Sequence, residues 1–193
     1  MVFPLEISAK GTDMSIKSVC VYCGSRSGAM PAYASAAETL GALLAARGLR
    51  LVYGAGDVGL MGTVARAAQQ AKGETFGVIP EHLVKREVGK SDLSTYVVTE
   101  TMHERKKVML YNADAVIVLP GGPGSLDELF EALTWRQLGL HDKPIVILNV
   151  EGYWDRLRDL IDHMLAQGFA DASMGALLDW VDTPEQALDL LNG

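Results

Sequence analysis

Glu128 closes the stretch Pro120-Gly-Gly-Pro-Gly-Ser-Leu-Asp-Glu128, whose residue types suit an anion held beside a carboxylate. Gly121, Gly122 and Gly124 let the backbone turn tightly and approach a ligand with no Cβ in the way. Ser125 reads as a helix N-cap, and Ser125 to Glu128 has the spacing of a capping box, which puts Glu128 in the first helical turn. A helix N-terminus there concentrates free N–H groups and the positive end of the dipole, a site for a phosphate. Along the helix, Leu126, Leu129, Phe130 and Leu133 repeat at core spacing, while Glu128, Glu131 and Trp135 fall on roughly the opposite side. Two readings stay open for that second face. Glu128 caps its helix and Trp135 fills a surface groove, or the face belongs to a site or a subunit interface.

Other stretches offer polar groups. Thr101-Met-His-Glu-Arg-Lys-Lys107 places Arg105, Lys106 and Lys107 together in an acidic protein, useful against a phosphate or simply a solvated face. Cys23-Gly-Ser-Arg-Ser-Gly28 is a polar turn in which Ser25 and Arg26 could meet a phosphate or sugar. Its bland alternative is an ordinary strand-to-helix turn. Gly54-Ala-Gly-Asp-Val-Gly59 matches the dinucleotide pattern G-x-G-x-x-G, with Glu81 about where a ribose-binding acid would stand. The motif follows the second strand, however, and the Gly121 loop competes for the phosphate, so two glycine loops on one sheet would instead enclose a mononucleotide. The four histidines show no metal-ligand spacing. Cys20 and Cys23 point to opposite faces of a strand, which favours packing over a redox pair or metal site. No metal is expected.

These loops need a sheet to hold them. Short apolar runs at Ser18–Tyr22, Leu51–Tyr53, Thr75–Ile79, Thr95–Thr99, Ala115–Leu119, Ile145–Leu148 and Leu177–Val181 read as strands. They alternate with helical patterns, one opened by Pro31 and the last by Thr183-Pro-Glu-Gln186, an N-cap with a capping-box glutamine. The expected fold is α/β: a Rossmann-like, doubly wound, mostly parallel sheet with helices on both faces. The 193 residues fit one domain, 1–193, with about 1–15 a loose tail and His82 to Ser94 a polar connection. A net charge of −7 argues against nonspecific nucleic-acid binding. No apolar run spans a bilayer and no leader pattern opens the chain, so a cytoplasmic protein without membrane partners is expected.

With these residues laid out, the chain resembles the LONELY GUY family of cytokinin riboside 5′-monophosphate phosphoribohydrolases, once loosely labelled lysine decarboxylases. The family hallmark Pro-Gly-Gly-x-Gly-Thr-x-x-Glu is matched from Pro120 to Glu128, with Ser125 for threonine, and Met-His-x-Arg-Lys is matched from Met102 to Lys106. The Cys-Gly-Ser turn at Cys23, the Tyr53 glycine stretch with Gly-Leu-Met-Gly62, Leu133-Thr-Trp135 through Lys143-Pro144, and Leu148-Asn-Val150 with Gly152-Tyr153 are similar too. Pro123 and Asp127 depart from the commoner residues. The resemblance implies hydrolysis of the N-glycosidic bond of a cytokinin riboside 5′-monophosphate or related purine nucleotide such as AMP, without a cofactor, by a homodimer or larger homo-oligomer. It implies Arg105 and Glu128 as the catalytic pair. The implied binding set is Gly24, Ser25, Gly54, Gly56, Met102, Lys106, Gly121, Gly122, Gly124 and Ser125. A nucleotide or molybdenum-cofactor carrier, and a nicotinamide-dependent oxidoreductase using the Gly54 motif, are the alternatives.

Overall fold

Valine, isoleucine and leucine fill the central strands because both faces of a parallel sheet are covered by helices, leaving no side for polar residues. The computed structural model describes residues 15–84 and 92–191. Its strands are β1 (Ser18–Tyr22), β2 (Arg50–Tyr53), β3 (Thr75–Pro80), β4 (Thr95–Thr99), β5 (Ala115–Val118), β6 (Ile145–Leu148) and β7 (Asp179–Val181). They form one sheet of order β4-β3-β2-β1-β5-β6-β7 in which every pairing is parallel. β1, β5 and β6 are buried throughout, whereas the edge strands β4 and β7 are mostly half-buried, as their more polar sequences require.

The chain builds outward from β1 to β4, then returns to place β5 beside β1, with Tyr22 level with Val118. Strand order therefore reverses between β1 and β5, and the loops leaving their carboxyl ends diverge around a crevice, the usual ligand position in such sheets. The helices are α1 (Pro31–Ala46), α2 (Gly59–Gln70), α3 (Glu81–Val84), α4 (Met102–Tyr111), α5 (Pro123–Gln137), α6 (Asp155–Ala166), α7 (Ala172–Gly175) and α8 (Pro184–Leu191). Period-two alternation sends Val19 and Val21 to one face, against α1, α2 and α8, and Cys20 and Tyr22 to the other, against α4, α5 and α6. Cys20 and Cys23 are free, buried thiols in different layers.

The expected elements shift modestly. The second strand starts one residue earlier at Arg50, the third runs on to Pro80, and the last shrinks to Asp179–Val181. Glu81–Val84 forms a short helix where a polar connection was expected, and Lys85, Arg86 and Lys90 lie outside the described residues, as does most of the N-terminal tail. The last helix has the expected box: Gln186 Oε1 accepts from Asp182 and Thr183 N–H, and Gln186 N–H donates to Thr183 Oγ1. Among the described residues no helix is long and apolar enough to cross a membrane.

Candidate active site

The helix after the central glycine loop begins earlier than its sequence suggested. Ser125 is not the N-cap: Gly122 is, in an extended conformation (φ −99°, ψ −156°), and α5 starts at Pro123. Proline carries the helical φ and lacks the N–H that would go unsatisfied at a first position, so it outcompetes a serine two residues on. Ser125 is consequently a buried third residue, and Glu128 is the sixth rather than a first-turn group. The capping box expected at Ser125–Glu128 does not form, and α5 has no acidic residue in its first turn. Capping therefore cannot account for Glu128.

Three loops are stitched together through Gly24. Its N–H donates to Pro120 O at 3.0 Å, joining the turn after β1 to the glycine loop after β5. Its carbonyl accepts from Leu60 N–H at 3.0 Å and Met61 N–H at 3.4 Å, at the start of α2. Those α2 donors are thus engaged within the protein, where a dinucleotide loop would direct them at a pyrophosphate. The glycines of that motif serve close approach. A Cβ on Gly54 would collide with the Arg105 guanidinium, and one on Gly59 with the Ser25–Arg26 backbone. Glu81, expected near a ribose in the dinucleotide alternative, is exposed on α3.

Helix α4 positions Arg105. Thr101 is its N-cap and forms a full capping box with Glu104: Glu104 N–H donates to Thr101 Oγ1 at 3.2 Å, and Glu104 Oε2 accepts from Thr101 N–H at 3.1 Å. The Thr-x-x-Glu signal was present in the sequence. Fixing the helix start turns Arg105 inward, where it is 5% exposed and donates from Nε to Val78 O (3.1 Å) and from Nη2 to Gly54 O (2.7 Å). The neighbouring Lys106 is equally buried, but its ammonium pairs with Asp127 (3.0 Å) and Glu131 (2.8 Å) on α5.

At the β1/β5 crevice these elements enclose a cavity of about 510 Å³, inside the roughly 300–1,000 Å³ typical of small-molecule sites. Gly24, Ser25 and Arg26 line it from one loop; Gly122, Gly124 and Ser125 line it from the start of α5. Arg105, Asp127 and Glu128 supply charge, and Cys23, Met61, Leu83, Met102 and Met109 an apolar wall. Of the expected set, Gly54 also lines the cavity, whereas Gly56, Lys106 and Gly121 are not among its lining residues. Gly121 stands behind the wall, where a Cβ would collide with Ser125 Oγ. Cys23 had been read as packing alone, and Met61 and Leu83 carried no chemical signal to reveal them. Burial pushes the Cys23 thiol well up; the Glu128 carboxylate adds to the rise and the Arg105 guanidinium opposes it, so both charges are felt at the end of β1.

The chain matches the family model described as "Possible lysine decarboxylase" over residues 61–191. It is 41% identical over 187 residues to an Oryza sativa subsp. japonica protein named "Probable cytokinin riboside 5'-monophosphate phosphoribohydrolase", covering 97% of this chain and 81% of that one. An Arabidopsis thaliana cytokinin riboside 5′-monophosphate phosphoribohydrolase is 46% identical over 158 residues, 82% of this chain and 73% of the relative. Among solved structures, the molybdenum cofactor binding protein of the phototrophic bacterium Rippkaea orientalis superposes with a TM-score of 0.68 at 26% identity, covering 91% of this chain and 94% of that one. The Moco carrier protein of Chlamydomonas reinhardtii, at 20% identity and TM-score 0.69 over 91% of this chain and 96% of that one, shares the fold. With the model matched along two thirds of its length and such relatives along most of it, the chain belongs to the LONELY GUY family, whose family model carries the lysine decarboxylase description.

Proposed function

We propose that this protein hydrolyses the N-glycosidic bond of a purine nucleoside 5′-monophosphate, a cytokinin riboside 5′-monophosphate or AMP, releasing free base and ribose 5-phosphate. One observation carries the reading: the start of α5, Arg105 and Glu128 line one cavity of nucleotide size, in a member of this family. The phosphate sits at the start of α5 against Gly122, Gly124 and Ser125, with Gly24 and Ser25 across from it. Loss of the base develops positive charge on the ribose, which Glu128 stabilises while orienting the attacking water. Water oxygen bonds to C1′, the C1′–N bond breaks, and one water proton ends on the departing base. Arg105, held by two backbone carbonyls, is placed beside the ribose hydroxyls or the base, where its positive charge orients the substrate. Met102 and the apolar wall pack against the base.

The proposed assembly is a homodimer or larger. The outer face of α5 supports it: Leu126 and Phe130, expected in the buried stripe away from Trp135, are only half-buried and line with it a shallow groove that shares Pro123 and Asp127 with the cavity. The cytoplasm, which holds the nucleoside monophosphate pool, is the compartment this reading requires. The test is incubation with a panel of nucleoside monophosphates in the absence of any cofactor, with the released base identified. Base release from a 5′-monophosphate supports the reading. Tight nucleotide or molybdenum-cofactor binding with no base release from any of them would favour the carrier alternative.

A further inference from the structure

The carbonyl of Gly121 is gripped from outside the cavity. Tyr153 Oη donates to Gly121 O at 2.6 Å, from a turn that follows β6 on the far side of the glycine loop. That turn is built with care. Glu151 and Gly152 both take positive φ (51° and 70°), a conformation that costs free energy in a non-glycine residue. Asn149 ties it off: its Oδ1 accepts from Trp154 N–H at 2.7 Å and its Nδ2 donates to Asp155 Oδ1 at 2.8 Å. The Tyr153 ring is wedged edge-to-face between Tyr33 and Trp154, with centroids 5.4 Å and 4.7 Å away. The product of this construction is one hydroxyl aimed at one carbonyl.

Its consequence follows from peptide geometry. Pro120 O accepts from Gly24 N–H and Gly122 O from Leu126 N–H, so Tyr153 completes the set by engaging the carbonyl between them. In a planar trans peptide the C=O and the following N–H point in opposite directions, and no cis peptide bond occurs among the described residues. Drawing Gly121 O toward Tyr153 turns the Gly122 N–H away from Tyr153, and Gly122 lines the cavity whereas Tyr153 does not. Glycine on both sides makes this peptide the easiest in the loop to rotate, and a rotated peptide would present oxygen to an anion. We propose that Tyr153 is a positioning residue for the phosphate subsite: its hydroxyl locks the Gly121–Gly122 peptide so that the Gly122 N–H faces the 5′-phosphate of a nucleotide. The proposal rests on the nucleotide reading of the cavity.

The experiment measures AMP and adenosine binding by calorimetry to the full chain and to Tyr153→Phe, with circular dichroism and thermal melting alongside. Phenylalanine keeps the ring between Tyr33 and Trp154 and removes only the hydroxyl. AMP affinity should fall about fivefold to tenfold, the scale of one lost hydrogen bond, while adenosine affinity stays within error. The adenosine arm doubles as the folding control. Unchanged AMP affinity, or equal losses for AMP and adenosine, would overturn the proposal, as would a wild-type protein that binds AMP no better than adenosine. Base release by the wild type is scored separately: Tyr153-dependent AMP binding without base release removes the hydrolase reading and leaves the role of Tyr153 standing.

Discussion

Lys106 Nζ lies 2.8 Å from Glu131 Oε2, so the residue next to Arg105 on α4 is bonded to the turn of α5 that follows Glu128. Asp127 completes the contact at 3.0 Å. Burial alone would push the Lys106 ammonium's pKa down, but the hydrogen bonds and charges of Glu131 and Asp127 outweigh it and hold the pKa above the ordinary lysine value. The lysine's contribution is therefore complete at neutral pH and is lost as pH climbs through that raised pKa.

The first prediction concerns this clamp. Lys106→Met should cost about 1–3 kcal/mol, less than a fully buried pair because Asp127 is largely exposed. Cleavage of AMP and of adenosine should slow by the same factor, because the two helices lose their register while the phosphate loop keeps its donors. Denaturant melts with parallel kinetics on both substrates check this. A loss confined to AMP would instead place the ammonium at the phosphate.

Glu128→Gln is the sharpest test of the chemistry. Since α5 is capped by Gly122 and starts at Pro123, removing this charge takes no capping bond from the helix start. Base release should drop on the order of 10²–10⁴-fold, as when an acid–base group is lost, with AMP binding largely retained. A glutamine variant that still releases base at near wild-type rate would exclude Glu128 from catalysis.

Two adjacent glycines should behave oppositely. A methyl on Gly121 meets Ser125 Oγ and comes 3.0 Å from Gly24 N, so Gly121→Ala should destabilise by about 1–3 kcal/mol, the range for overpacking. A methyl on Gly122 meets nothing within 4 Å and its backbone is extended, so Gly122→Ala should cost only the exchange of a preferred cap residue for a poor one, at most about 1 kcal/mol. It lines the cavity, so AMP binding should weaken instead. Equal melting temperatures for the two variants would contradict this geometry.

Asp114 gives the fold an acid limb. Its Oδ2 accepts from Lys17 N–H and Ser18 N–H at 2.9 Å and from Ser18 Oγ at 2.8 Å, tying the entry of β1 to the entry of β5. Burial raises its pKa, but these hydrogen bonds, helped by the Lys143 charge, outweigh burial and hold the carboxyl below its usual value. The stabilisation is therefore present above the unfolded-state pKa and lost as pH falls through the lower native one. Asp114→Asn should cost about 0.5–1 kcal/mol near neutral pH, because Asp114 is exposed and solvent screens its contacts, and the gap between variant and wild type should close in acid. Stability curves against pH for the two proteins decide it; a gap independent of pH would mean that the charge contributes nothing.

What the chain declared by itself was local. An unbroken apolar run announces a strand covered on both faces, which is why Ser18–Tyr22 and Ile145–Leu148 were legible to the residue and why the alternation of such strands with helices implied a doubly wound sheet. The glycines after Leu119 likewise announced a tight loop leading into a helix start, because that property belongs to the residues in sequence. Tertiary structure decided the partners. Ser125 was the helix start that the sequence suggested, and Pro123 displaced it with Gly122 extended ahead of it. In sequence Lys106 had two destinations, solvent or a phosphate, and the packing of α4 and α5 on one face of the sheet gave it another by bringing Asp127 and Glu131 within reach. Gly54 looked like part of a dinucleotide motif until strand order set Arg105 against it, and Tyr153 carried no chemical signal until the turn after β6 reached Gly121. Periodicity and turn chemistry act over a few residues, but the choice among distant partners is made by the order of strands in the sheet, which brings together groups that no local pattern relates.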